Sequence, residues 1–240
     1  MIAPLLAIGG ALAILGGWQL LRRVGSGYRV GRLLAASQEL TLQEVIALGR
    51  SGEQRYVRTH GRITSEEEFP DDQQRPLVYR RRRLQRAAGR AGWIDLDDER
   101  LGVPFAIEDR DATVAIDVDA LGDGLVVVPR ESTGTAGELP TELIAGPWAL
   151  NPATPVRLRI EQVSAVEHAT VAGVPGPGSG DAVMLSAGLG RPLILTTLEP
   201  AAAMRLLASG RRGGVMLAAG LLVAGPACLA LAVGAYLLGL

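Results

Sequence analysis

The chain has 240 residues, 48% of them hydrophobic, and its 24 basic and 25 acidic side chains leave a net charge of −1, which excludes the basic excess that nonspecific nucleic-acid binding needs. Every basic residue is arginine, so a phosphate-loop lysine, a pyridoxal Schiff base and a lysine general base are excluded together. One cysteine and two histidines exclude a disulfide framework and a thiolate zinc cluster.

At the N-terminus, the run from Ile2 to Leu21 holds Gln19 as its one strongly polar residue and then meets Arg22 and Arg23. About 20 apolar residues are enough for roughly 30 Å of hydrocarbon, and the run lacks the basic start of a cleaved leader. Residues 1–22 therefore predict a transmembrane anchor, and residues 23–40, with Arg29 and Arg32, a juxtamembrane linker.

Thr41 to Glu44 has the order of a capping box, and Leu42, Val45 and Ile46 share one side until Gly52, which predicts a short helix. In RYVRTHGRI the period becomes two. Val57, Thr59, Gly61 and Ile63 alternate with Tyr56, Arg58, His60 and Arg62, a strand with a basic outer face. The acidic loop SEEEFPDDQQRP leads to LVYRRRRLQ, a second strand dense in arginine. VPFAI and TVAIDV flank EDRDA and predict a hairpin, with Phe105 and Ile107 on the same side as Val114, Ile116 and Val118. Residues 131–155, rich in Gly, Pro, Ser and Thr, read as a loop. PVRLRIEQVSA, HATVAGVPG, DAVMLSAG and PLILTTL predict further strands, and EPAAAMRLLASG a closing helix. Short strands with helices only at the ends predict a mainly β (α+β) central domain over residues 41–210, an antiparallel sheet closed or half closed into a barrel.

Residues 213–240 carry no charged side chain and predict a second transmembrane helix, kinked at Pro226. Arg22, Arg23, Arg29, Arg32, Arg205, Arg211 and Arg212 flank the two runs on their inner sides. That bias predicts a multi-pass protein of the cell membrane, with a cytoplasmic central domain and both termini outside. Gly9, Ala13 and Gly17 fall four apart on one helix face; Gly220, Ala224, Cys228 and Ala232 do the same on the other. Small residues at that spacing allow close helix pairing, between the two spans or between two copies in a homo-oligomer. The lysine-free composition fits a GC-rich prokaryotic genome.

Arg80, Arg81, Arg82 and Arg83 either form a solvated hairpin salt-linked to Glu66–Asp72 or, with Arg58, His60 and Arg62, a contact surface for an acidic protein partner or anionic lipid, since guanidinium grips carboxylate or phosphate in a two-point fork. Asp117, Asp119 and Asp123 lack the glycine and terminal glutamate of a calcium loop and read as strand-end acids. Ser179 in GPGSGD lacks the order of a nucleophile elbow. No catalytic residue, metal site or cofactor is assigned.

Between the apolar runs, VRTHGRI, PLVYRRR, VPFAIEDRDATVAIDV, and EHATVAGVPG through RPLILTT resemble the MULAN or GIDE family of mitochondrial membrane-anchored RING-type ubiquitin ligases. The resemblance implies that family's central GIDE domain, also called BAM for "beside a membrane". Family members carry a zinc-binding RING after the second span, and no cysteine–histidine cluster stands there in this sequence. It therefore implies the non-catalytic part of a ligase. The family's central domain faces the space between the mitochondrial membranes, whereas the arginine flanks here predict the cytoplasm. The expected function is a membrane-proximal scaffold for a protein or lipid partner at the bilayer, without nucleic acid. One alternative is a component of ubiquitin-like conjugation acting through a separate RING protein. Another is an oligonucleotide-binding-type barrel holding a small ligand, weakened by the scarcity of aromatics for stacking, two Phe, three Trp and four Tyr.

Overall fold

The computed structural model of the chain describes residues 2–89, 92–110, 112–139, 150–199, 202–203 and 212–237. The chain divides into two compact units, one made of Met1–Ala36 with Pro200–Leu240 and the other of Ser37–Glu199.

The first unit is a pair of helices, α1 (Ile2–Ala36) and α3 (Arg212–Leu237). Among the described residues no helix is long and apolar enough to cross a membrane. That finding overturns the two expected spans, and with them the multi-pass placement in the cell membrane, the cytoplasmic central domain and the outward termini. The apolar run of α1 does not end the helix, which continues past Arg22, Arg23, Arg29 and Arg32 through the stretch read as a linker. The two helices instead place apolar surface on each other. They run antiparallel, with Gly10 beside Gly225 and Leu229, and Gly17 beside Leu221 and Leu222. A Cβ at Gly10 would lie 2.8 Å from the Gly225 carbonyl oxygen, so backbone meets backbone there. The contact runs through Gly10 and, seven residues on, through Gly17, which belongs to the expected four-residue face. Gly9 and Gly220 face open space, Ala224 is exposed, and Ala13 is partly covered. The predicted helix at EPAAAMRLLASG falls mostly outside the described residues; Ala202 and Ala203 are helical.

The second unit is mainly β. Its helix α2 (Leu42–Ser51) has the predicted capping box, with the Thr41 hydroxyl accepting from the Glu44 N–H and Glu44 accepting from Thr41. Gly52 ends it at φ 75°, a left-handed conformation that suits glycine. Leu42 and Val45 bury its apolar side against the core.

Among the described residues, thirteen strands follow the order β1 (Gln38–Glu39), β2 (Val57–Thr64), β3 (Phe69–Pro70), β4 (Pro76–Ala87), β5 (Trp93–Gly102), β6 (Ala106–Asp109), β7 (Ala112–Ile116), β8 (Leu125–Val126), β9 (Arg130–Thr135), β10 (Pro155–Ser164), β11 (His168–Pro177), β12 (Val183–Ser186) and β13 (Ile194–Thr196). Five of them close a ring: β2 pairs with β6, β6 with β7, β7 with β12, β12 with β11, and β11 back with β2. The predicted hairpin is its β6–β7 edge, with Ile107 opposite Val114. The ring is not purely antiparallel, because β7 and β12 run parallel. Parallel neighbours require a crossover, and the long chain from β8 to β11 supplies it. Five strands in this Greek-key order, with that one parallel pair, have the connectivity of an oligonucleotide- or oligosaccharide-binding barrel. Ile63, Ile107, Val114, Val171, Leu185, Leu193 and Leu195 are among the side chains buried in its core.

The second sheet is assembled from two excursions out of that ring. The segment between β2 and β6 supplies β3, β4 and β5, and the segment between β7 and β11 supplies β9 and β10. They join where β4 and β10 pair antiparallel from Leu77–Ser164 to Arg86–Val156. Residues 130–135, partly within the expected loop, form β9 on the β10 edge. Its outward-facing polar residues give no apolar period, so the pairing partner and not the local sequence makes it a strand.

Candidate recognition cleft

On β2 the alternation is as predicted: Val57, Thr59, Gly61 and Ile63 are buried, while His60 and Arg62 are exposed. Arg58 donates to Glu39 at 2.7 Å, and the His60 Nδ1 lies 3.2 Å from the other oxygen of the same carboxylate. The hydrogen bond from Arg58 holds the Glu39 carboxyl below its ordinary range.

Register brings distant residues beside them. Arg62 stands opposite Glu108 of β6 on one side and His168 of β11 on the other. The turn after β6 adds Asp109 and Arg110, the latter at φ 50°. With His60 and Gly61 these residues line an open cleft of about 440 Å³ that holds both histidines of the chain. Glycine is required at 61, since a Cβ would stand 2.7 Å from the Glu108 carbonyl oxygen. Among the described residues, no hydrogen bond or ion pair engages the side chains of Arg62, Arg110 or His168. The lining contains no hydroxyl or thiol. Its chemistry is charge recognition, with two guanidinium forks and two imidazoles next to two carboxylates.

Arg80, Arg81, Arg82 and Arg83 lie on β4, in the other sheet, and line no part of this cleft. They stand apart from Arg58, His60 and Arg62 of β2, and Arg81, Arg82 and Arg83 are paired within their own sheet. The side chain of Arg81 is 7% exposed and forks onto Asp98 through Nε at 2.8 Å and Nη2 at 2.7 Å. That pair holds the Asp98 carboxyl at about 2 and raises Arg81 further. Arg82 pairs with Glu99 at 2.6 Å and Arg83 with the buried Glu161 at 3.0 Å. Arg80 sits over the ring of Phe69. The partners come from β5 and β10, not from the acidic stretch Glu66–Asp72. The strand-end acids have structural roles too: Asp117 accepts from the Ala120 N–H and the Ser186 hydroxyl, and Asp123 pairs with Arg81.

Sequence reasoning missed Glu108, Asp109, Arg110 and His168 as neighbours of Arg62. The β11–β2 pairing joins segments a hundred residues apart in the chain, and no local period announces it. Among the described residues no group of three or more His, Cys, Asp or Glu could hold a metal ion.

No protein-family model, no curated protein and no solved structure matches this chain. Of the motif segments quoted from the sequence, VRTHGRI falls on β2, PLVYRRR on β4, the EDRDA hairpin on β6–β7 and EHATVAGVPG on β11.

Proposed function

We propose that the barrel is a recognition module that takes an acidic peptide segment of a protein partner into the cleft around Arg62. The observation that carries this reading is the convergence of Arg62, Arg110 and His168, without partners among the described residues, beside His60. Glu108 and Asp109 favour a peptide over a polyanion. They repel a dense run of phosphates but accept hydrogen bonds from the N–H groups that accompany a peptide's carboxylates. The motif resemblance supports a non-catalytic role, since that family places its chemistry in a separate RING.

The test is fluorescence anisotropy of the full chain with a labelled peptide of alternating Glu and Gly, against a labelled single-stranded oligonucleotide of equal length. The peptide is expected to bind in preference, and the Arg62→Gln/Arg110→Gln double variant to lose about tenfold in affinity, while Arg86→Gln outside the cleft changes nothing. Equal peptide binding by the double variant, or tighter binding of the oligonucleotide, would overturn the proposal.

A further inference from the structure

A second concave surface lies away from that cleft, where the turn between β3 and β4 faces β10 and the chain before β9 and after β13. Its volume is about 420 Å³, within the roughly 300–1,000 Å³ of small-ligand sites. Leu77 and Val127 are buried in its floor, at 1% and 4% exposure, and Leu198 adds to the apolar surface. The rim is polar.

The rim is organised by one carboxylate. The Asp71 side chain is completely buried. Its Oδ1 accepts the N–H groups of Gln73 at 2.7 Å and Arg75 at 2.9 Å, which is enough to hold the turn. Its Oδ2 does something a turn does not need. It accepts Arg75 Nε at 2.8 Å and Nη2 at 2.7 Å, and Arg130, from β9, brings Nη1 to 3.9 Å. Two guanidinium groups, each about half exposed (53% and 47%), thus share a single carboxylate at the groove. One positive charge is left over beside Asp71, and Arg75 Nη1 has no partner among the described residues. The amides of Gln73 and Gln162 and the Thr197 hydroxyl line the same groove, and no hydrogen bond engages these side chains among the described residues. Glu167 is the one exposed acid in the lining, and the Ser164 N–H engages it.

We infer that this groove is a binding site for a small organic anion, a carboxylate or phosphate ester joined to a short apolar body, with Arg75 and Arg130 gripping the anion and Leu77, Val127 and Leu198 covering the body. Arg75 is fixed in direction by Asp71 before any ligand arrives, so little side-chain freedom is lost on binding. The site lies on neither the β6–β7 wall nor the Arg62 cleft, so it stands whether or not the recognition module described above is right.

Isothermal titration of the full chain with phenyl phosphate, hexanoate, inorganic phosphate and hexanol separates the possibilities. Saturable binding of phenyl phosphate or hexanoate is expected, stronger than of inorganic phosphate and absent for hexanol; the better of the first two identifies the headgroup. Arg75→Gln and Arg130→Gln should each weaken binding about tenfold, and Arg86→Gln, outside both the groove and the Arg62 cleft, should not alter it. Gln162→Ala, which leaves the turn intact, should weaken it about threefold. No saturable binding of either amphiphilic anion, or unchanged binding in the Arg75→Gln/Arg130→Gln variant with its thermal unfolding preserved, would overturn the inference.

Discussion

Arg81 and Asp98 meet through two N–H···O contacts of 2.8 and 2.7 Å across β4 and β5, with the guanidinium almost wholly removed from solvent. A fork of this kind fixes direction as well as charge. Beside it on the sheet, Arg83 and Arg159 share the buried Glu161, and Arg157 and Arg159 reach Glu131.

Acid should weaken the fold through this pair. The Asp98 carboxyl titrates at about 2 in the folded chain against an ordinary 3.8. A lowered folded value means that its contribution is complete above 3.8 and is lost as pH falls toward 2, on the order of 2 kcal/mol. Urea unfolding between pH 5 and 2 is expected to show this loss, and Asp98→Asn to flatten that limb. Arg81→Met should cost about 1–2 kcal/mol at pH 7: the two-point fork is lost, but Asp98 keeps Arg100 at 3.1 Å.

Alkali acts through Tyr56. Burial pushes its hydroxyl up to about 12, while it donates to the carbonyl oxygens of Pro192 at 2.8 Å and Ala172 at 3.2 Å. With the folded value raised above the ordinary 10.0, stability is full below pH 10 and declines as pH rises toward 12. Burial raises Tyr79 as well, so ultraviolet titration should show late phenolates from both side chains, and Tyr56→Phe should remove one of them.

Gly124 lies where the chain passes Leu193, and a Cβ there would stand 1.8 Å from the Leu193 carbonyl oxygen. Backbone cannot yield as a side-chain tip can. Gly124→Ala should therefore cost about 3 kcal/mol or more, whereas Gly176→Ala, with nothing within 4 Å of its Cβ, should be close to neutral. Thermal unfolding of the two variants compares them directly.

The helix pair gives a contrast between adjacent positions. Gly9→Leu should leave the α1–α3 contact intact, and Gly10→Leu should force the helices apart, because only the second points at Gly225 and Leu229. Amide hydrogen exchange along α1 is expected to rise several-fold for Gly10→Leu alone.

What could be read beforehand was whatever is written locally. The Thr41–Glu44 cap, the alternation of β2 and the β6–β7 hairpin each complete their signal within about a dozen residues. Less legible were β5, whose WIDLDDER mixes charge on both faces, and β9, which is a strand only because β10 lies beside it. Four arginines in a row look like a surface until the acids of β5 and β10 are placed against them. The cleft was half visible in His60 and Arg62; its other half arrives by pairing from Glu108 to Arg110 and from His168. Of the small residues four apart, Gly17 meets the partner helix and Gly9 does not, because spacing alone does not say which side meets the partner. The apolar runs showed hydrophobicity correctly and its destination wrongly.

The second sheet consists of two departures from a ring whose backbone pairing closes without them, yet Val78 and Tyr79 of β4 and Val163 of β10 belong to the same apolar core as Ile63, Ile107 and Val114 of the ring. Closure and filling are thus supplied by different stretches of chain. Trimming both excursions would leave every rung of the ring in place and still strip side chains from its interior, so the five strands alone would be a frame with incomplete stuffing.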